Sequence, residues 1–347
     1  MLKKEDVLNI LKRVKYPGFS RDIVSFGIVK DIRIEGGRLS FLLDVPTDKA
    51  EVASQIEKGA RSTLAELPGL QDLEIQVRTK AKKVTPIMDR RPIEGVEKVL
   101  AIASGKGGVG KSTVAVNLAL ALDTLGARTG LLDADIYGPS LPIMLGVHER
   151  PAIDGDILIP IDHEGLELMS IGFLLDEDSP VIWRGPLVAQ LVKQFLRNVR
   201  WGGLDCLVID LPPGTGDAQL TLVQNVPISG SIIVTTPSDV ALIDARRGLR
   251  MFRKVDSPVL GIVENMSYFI CPHCGNASDI FSRGGGRMVA EELKVPFLGE
   301  IPLDPAIRLG GDMGKPIVRE NPQGIQAQAF IRIAERVIEA LKIAVKA

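Results

Sequence analysis

The spacing of apolar residues changes character at about residue 80. Before that point Val7, Leu8, Ile10, Leu11 and Val14 lie on one face of a short helix, and Pro17-Gly18 ends it. Ile28–Ile34 and Leu39–Val45 read as strands, with Glu35-Gly36-Gly37 as the hairpin turn between them. Thr47 is placed to N-cap a helix running from Asp48 to about Leu67. Pro68-Gly69 breaks that helix, and Leu73–Val77 alternates as a last strand. Residues 1–80 are therefore expected to form a small α+β domain. Residues 81–96 carry charges and two prolines without an apolar period. They read as a solvated linker rather than as an anion-binding arm.

From residue 97 onward, apolar runs of strand length alternate with helical patterns. The runs are Val99–Ala103, Thr129–Leu132, Cys206–Ile209, Ser231–Val234 and Val259–Val263. This alternation predicts an α/β fold, a mostly parallel sheet covered by helices on both faces. Ile325–Val345 repeats apolar residues at 329, 330, 333, 334, 337, 338, 341 and 345, a helix face. The mixed charges opposite that stripe favour packing on a core over lying on a membrane. No internal repeat is present.

Composition narrows the class. The 347 residues suit two domains, and 45% apolar residues suffice for a large core. A net charge of −1 with 24% charged residues argues against a disordered chain and a polybasic nucleic-acid binder. No apolar stretch has the length of a membrane span, and the first residues lack the apolar core of a secretory signal. Three cysteines, Cys206, Cys271 and Cys274, are too few for a disulfide scaffold. A reducing cytoplasm is the expected location, with neither nucleic acid nor membrane as partner.

The sharpest chemical signal is Gly105-Lys106-Gly107-Gly108-Val109-Gly110-Lys111-Ser112, which fits G-x-x-x-x-G-K-[ST]. An apolar strand precedes it and a helix, read as amphipathic over Ser112–Leu125, follows. That context separates a phosphate loop from a chance glycine-rich turn. The glycines let backbone N–H groups turn toward phosphate oxygens, and the helix N-terminus adds its positive end. Lys111 is expected to reach the β- and γ-phosphates of ATP, and Ser112 to ligate Mg²⁺. Leu207-Val208-Ile209-Asp210 is an apolar strand ending in a carboxylate, so Asp210 is expected to hold the magnesium, through water. Asp133 and Asp135 end a neighbouring run; one of them can orient an attacking water, the other reading being a strand–helix cap.

Lys106 makes the loop K-G-G-V-G-K-S-T, which resembles the deviant phosphate loop of the MinD/ParA/nitrogenase-iron-protein class. The resemblance implies a nucleotide-sandwich homodimer with Lys106 acting across the interface. It further implies Thr113 near the α-phosphate, Asp135 as the switch acid that positions water, and Asn265 near the base. Asn117 is a weaker candidate.

Cys271-Pro272-His273-Cys274-Gly275 is a knuckle that aims two thiols at one point. A tetrahedral zinc or a cluster needs about four ligands, and one chain offers two here. Cys206 sits inside an apolar strand and reads as core, and His273 as a solvent-facing residue of the knuckle. Two chains together supply four thiolates at a two-fold axis, which suits a bridging [4Fe–4S] cluster. Zinc satisfies the same set, and a redox dithiol is a third option, disfavoured by the loop that follows Cys274.

The large domain resembles the Mrp/ApbC iron–sulfur cluster carrier ATPases over nearly its whole length. The matching segments are GKGGVGKSTVAVNLA, DADIYGPSLP, IWRGPLV, LVIDLPPGTGDAQLTL, GIVENMSYFICPHCG, FSRGGG and LGEIPLDPAIR. The first domain is similar to the small SufT/PaaD-like module, through SRDIVSFGIVKDIRI. It departs from that module at Tyr16-Pro17-Gly18, where D-P-E is usual, and by having no cysteine near Pro46-Thr47. Ser238 stands where glutamine is frequent in the large-domain family. The resemblance implies an ATPase, with Lys106, Lys111 and Asp135 catalytic, that binds a cluster between two chains and hands it to apoproteins. A positioning ATPase with a zinc-clasped dimer is the alternative.

Overall fold

The computed structural model describes residues 3–17, 21–45, 47, 50–79, 91–174, 191, 194–271 and 273–345. The IWRGPLV motif, Pro272, the greater part of the linker and the start of the helix expected at Asp48 lie outside the described residues. The chain divides into two compact units, Met1–Met88 and Asp89–Ala347.

In the first unit α1 (Lys4–Leu11) precedes β1 (Val29–Glu35), β2 (Arg38–Val45), α2 (Ala50–Leu64) and β3 (Asp72–Thr79). The sheet order is β1-β2-β3, with β1 antiparallel and β3 parallel to β2. Gly36 and Gly37 make the hairpin turn at φ +55° and +87°, where side chains other than glycine are strained. Val7 and Leu11 of α1 and Ile56 and Leu64 of α2 pack onto Leu39, Phe41 and Leu43. Asp44 is buried at the end of β2, and salt bridges to Arg78 (3.0 Å) and Lys30 (2.7 Å) hold its carboxyl well below the usual range.

The second unit opens with β4 (Val96–Ser104), α3 (Lys111–Thr124), β5 (Thr129–Asp133) and α4 (Leu141–Leu145). Short strands β6 (Ile153–Asp154), β7 (Ile157–Leu158), β8 (Ile161–His163) and β9 (Leu166–Ser170) follow. Next come β10 (Leu204–Asp210), α5 (Asp217–Asn225), β11 (Gly230–Thr235), α6 (Asp239–Lys254) and β12 (Val259–Glu264). The hairpin β13 (Phe269–Ile270) and β14 (Ala277–Ser278) precedes α7 (Gly285–Leu293) and β15 (Phe297–Glu300). Helices α8 (Pro305–Asp312), α9 (Ile317–Glu320) and α10 (Ile325–Leu341) complete the unit.

The large sheet runs β15-β12-β11-β4-β10-β5-β9-β8, parallel throughout except where β8 turns back on β9. One face packs on α3 and α10, the other on α6 and α7. The order places β4 between β10 and β11, so the loop leaving β4 emerges at the centre of the sheet. This is where open α/β sheets bind ligands.

Helix α3 differs from its sequence reading. Every residue from Val114 to Leu122 is buried, so it has no polar face. The helix is enclosed by the sheet on one side and by α9 and α10 on the other, and an enclosed helix can be apolar all round. Helix α10 does pack on the core, through Ala327, Phe330, Ile333, Ala334 and Val337, and stops where Lys342 turns left-handed at φ +53°. Among the described residues no helix is long and apolar enough to cross a membrane.

Candidate functional site

The loop between β4 and α3 is held from three sides. Ser104 Oγ donates to the Lys106 carbonyl (2.8 Å), Gly214 N–H donates to the Ser104 carbonyl (3.0 Å), and Asn265 Nδ2 donates to the Val109 carbonyl (2.9 Å). Gly105 has no room for a side chain, because a Cβ there would run into the backbone of Asp244 on α6. Gly108 and Gly110 adopt φ +80° and +79°. A Cβ on Gly107 or Gly108 would meet nothing within 4 Å, so this rim is open. Gly110 caps α3 without a side chain of its own, leaving the first N–H groups of the helix toward the loop.

Lys111 is only 6% exposed, and its Nζ donates to Asp210 Oδ1 at 2.5 Å. Ser112 Oγ lies 3.3 Å away and Asp135 Oδ2 3.6 Å away. Asp210 ends β10, is fully buried, and its Oδ2 has no hydrogen-bond partner among the described residues. An orphaned carboxylate oxygen, on a side chain that shares the Lys111 ammonium with a serine hydroxyl, fits a divalent cation, the donor chemistry magnesium prefers.

The two acids after β5 have different surroundings. Asp133 accepts from the N–H groups of Asp135, Ser140 and Leu141 and from Ser170 Oγ, at 3.0–3.4 Å. It is fully enclosed, and burial together with the Asp210 carboxylate pushes its pKa up. Asp135 is the acid that faces Lys111; burial pushes its pKa up while the ammonium pulls the other way. Asn117 ties Thr113 to Val318, inside the packing of α3.

Beyond Thr113 lies a cavity of about 380 Å³. Asn265, Met266, Leu303, Asp304 and Ile307 contribute to its wall. Asn265 thus touches both the phosphate loop and this largely apolar space.

Glu264 lies inside the segment GIVENMSYFICPHCG and is given no role by the sequence, yet it is a central tie. It is fully buried at the end of β12, and accepts from Ser267 Oγ (2.6 Å), Gly284 N–H (2.9 Å) and Gly286 N–H. The sequence marks it as a carboxylate closing the apolar run Gly261-Ile262-Val263.

The cysteines stand on the β13–β14 hairpin. Cys271 N–H donates to the Asn276 carbonyl (3.0 Å), and Gly275, at φ +70°, donates its N–H to the Cys271 carbonyl (2.9 Å). Cys271 is half-buried and Cys274 exposed. The N–H groups of His273 and Cys274 bond the Cys271 sulfur and lower its pKa, by stabilising the thiolate. His273 is exposed. Cys206 is fully buried in β10, and its thiol is pushed up to about 12 by that burial. Among the described residues no three His, Cys, Asp or Glu side chains are grouped to hold a metal, so the hairpin offers two thiols and no third ligand.

A glycine loop leaving the central strand of a parallel sheet, a buried lysine behind it and a carboxylate ending the next strand define a P-loop NTPase. The family model that describes NUBPL, the iron-transfer P-loop NTPase of the ParA group, matches residues 95–338. A second, for an iron–sulfur cluster assembly protein, matches residues 4–77. The chain belongs to this family of iron-transfer P-loop NTPases and has the fold and phosphate loop of an ATPase. It is 45% identical to the iron-sulfur cluster carrier protein of Synechocystis, over 99% of both chains. It is 49% identical to an Arabidopsis thaliana mitochondrial iron-sulfur protein required for NADH dehydrogenase, over 72% of this chain and 80% of that one. Among solved structures, a nucleotide-binding protein of Archaeoglobus fulgidus in complex with ADP is 38% identical with a TM-score of 0.60, over 71% of this chain and 95% of that one. The septum site-determining protein MinD of Pyrococcus horikoshii, complexed with Mg-ADP, is 25% identical with a TM-score of 0.56, over 72% and 99%.

Proposed function

We propose that this chain is a cytoplasmic ATPase that carries a [4Fe–4S] cluster between two copies of itself and passes it to apoproteins. The carrying observation is the ligand count: a hairpin that presents two thiols, one already tuned toward thiolate, is half of a four-thiolate site. The names of the relatives, carrier and transfer proteins for iron–sulfur clusters, support the cargo. Cys271 and Cys274 of each copy are the proposed cluster ligands.

In the ATPase half, the N–H groups of Gly105–Ser112 cradle the phosphates and Lys111 turns from Asp210 to the β/γ oxygens. Ser112, and Asp210 through water, would hold Mg²⁺, which would neutralise phosphate charge. The base occupies the cavity bounded by Asn265, and Thr113 lies by the α-phosphate. Asp135 holds a water in line with the γ-phosphorus. As the water oxygen bonds to phosphorus, the bond to the β-phosphate oxygen breaks, one water proton passes to an oxygen of the released phosphate, and ADP leaves. Lys106, half-exposed on the rim, reaches the nucleotide of the second copy and stabilises the charge that develops there. In the proposed domain plan, residues 1–80 form the small assembly domain, 81–96 the linker and 97–347 the ATPase.

The test is transfer. Protein loaded anaerobically with iron and sulfide is mixed with an apo-ferredoxin, and the recipient's spectrum is followed after separation. Wild type is expected to donate and Cys274→Ala to have nothing to give. Equal donation by a Cys271→Ala/Cys274→Ala double variant contradicts the reading.

A further inference from the structure

A second cavity, of about 300 Å³, lies at the far edge of the large sheet, against β15. Its wall carries four arginines and one acid: Arg283, Arg287, Arg332, Arg336 and Glu300. Glu300 pairs with Arg283 at 2.6 Å and with Arg287 at 3.6 Å, which leaves the cavity cationic. The guanidinium of Arg283 lies 4.6 Å from the centre of the Tyr268 ring, and that of Arg287 4.5 Å from the Phe297 ring. The aromatic faces hold both cations in place, and Arg283 donates its Nε and Nη2 to Glu300 Oε2. Arg336 is anchored by donating to the Phe297 and Leu298 carbonyls.

The four cations form two pairs, each four residues apart in sequence. Arg332 and Arg336 share one face of α10, about 6 Å apart along the axis. Arg287 lies in α7, and Arg283 just before it. Two rows of forked donors on either side of a sheet edge match an extended run of carboxylates better than one compact anion. We infer that this arginine-lined cavity is a docking site for an extended acidic segment of a protein partner. Tyr268, in its wall, is three residues before Cys271, so at most about 11 Å of extended chain separates them. On the proposed function, an acidic segment held here keeps a cluster recipient beside the cysteine hairpin.

The test uses the full apo chain and a fluorescein-labelled octaglutamate peptide, read by fluorescence anisotropy at low salt. Wild type is expected to bind, and the Arg287→Ala/Arg332→Ala variant to bind about tenfold more weakly. Arg250→Ala, an exposed arginine of α6 outside the cavity, is expected to leave binding unchanged. An equal loss in Arg250→Ala, or none in the double variant, overturns the site. Displacement by inorganic phosphate where sodium chloride of equal ionic strength has no effect makes it a phosphate site and overturns the acidic-segment reading. Iron and sulfide loading of the double variant is measured in parallel and is expected to match wild type. If no variant or wild-type sample loads a cluster while the peptide still binds through the arginines, the carrier reading fails and the docking site stands.

Discussion

Glu264 and Asn265 are neighbours in sequence whose side chains grip opposite parts of the site. Asn265 donates to the Val109 carbonyl of the phosphate loop, while Glu264 accepts from Gly284 and Gly286 of the glycine turn that follows the cysteine hairpin. The end of one strand therefore joins the nucleotide loop to the chain that leaves the thiols. If ATP shifts the phosphate loop, as the proposed function requires, these bonds give that shift a short, buried route to the chain that leaves the hairpin.

This link predicts a variant that separates the two activities. Glu264→Gln keeps the shape but turns a donor toward backbone N–H groups that need an acceptor. The expected cost is about 1–3 kcal/mol of stability, read by denaturant unfolding. Hydrolysis, measured as phosphate release, is expected to persist. In wild type, ATP should change the rate at which a chelator bleaches the cluster; in Glu264→Gln that ATP effect should vanish. An undiminished ATP effect would remove the link from the account.

Lys111→Ala is expected to lower phosphate release by at least about 10²-fold, because the charge facing the transferring phosphoryl group is lost. It also leaves the buried Asp210 without its 2.5 Å partner. Lys111→Met, which retains the bulk, should be equally inactive; wild-type turnover in either variant sinks the assignment.

The glycines of the loop are expected to respond differently from one another. Gly105→Ala drives a Cβ into the Asp244 backbone and should destabilise the fold by roughly 1–3 kcal/mol. Gly107→Ala places its Cβ in open space, so unfolding should be unchanged while nucleotide affinity falls. Thermal melting with and without ADP distinguishes the two. A destabilised apo Gly107→Ala would contradict the open rim.

The thiols predict a pH dependence. Hydrogen bonds to the Cys271 sulfur hold its pKa below the ordinary value of 9.0, so the thiolate persists to lower pH in the folded chain than in the unfolded one. The folded state thus binds fewer protons in that window, and this contribution to stability is lost as pH falls through the folded pKa. Alkylation of apo protein by iodoacetamide, followed by mass spectrometry across pH 6 to 9, roughly the range of thiol titration, should show Cys271 reacting at lower pH than it does in urea. Identical profiles would remove the hydrogen-bonded thiolate.

Much of this was legible in the sequence because it rests on local rules. Each of the five apolar runs became a strand of the large sheet, and Gly105–Gly110 became the loop between β4 and α3, with Lys111 and Ser112 opening the helix. The cysteine pair stood out by spacing alone. What escaped depends on tertiary neighbours. Helix α3 read as amphipathic because its enclosure by α9 and α10 comes from residues some two hundred positions away. The strand-end pattern alone leaves Asp133 and Asp135 equivalent, and it was the resemblance that singled out Asp135; the surroundings, four donors about Asp133 and Lys111 beside Asp135, come from the fold. The arginine cavity joins two segments that carry no shared motif.

The most direct test of the central claim is anaerobic reconstitution with iron and sulfide, followed by iron, sulfide and zinc counts per chain and a visible spectrum. The account predicts about two iron and two sulfide per chain with broad absorption near 400 nm, one [4Fe–4S] cluster per pair of chains, lost in Cys274→Ala. About half a zinc per chain with no sulfide would contradict it and make the hairpin a structural clasp.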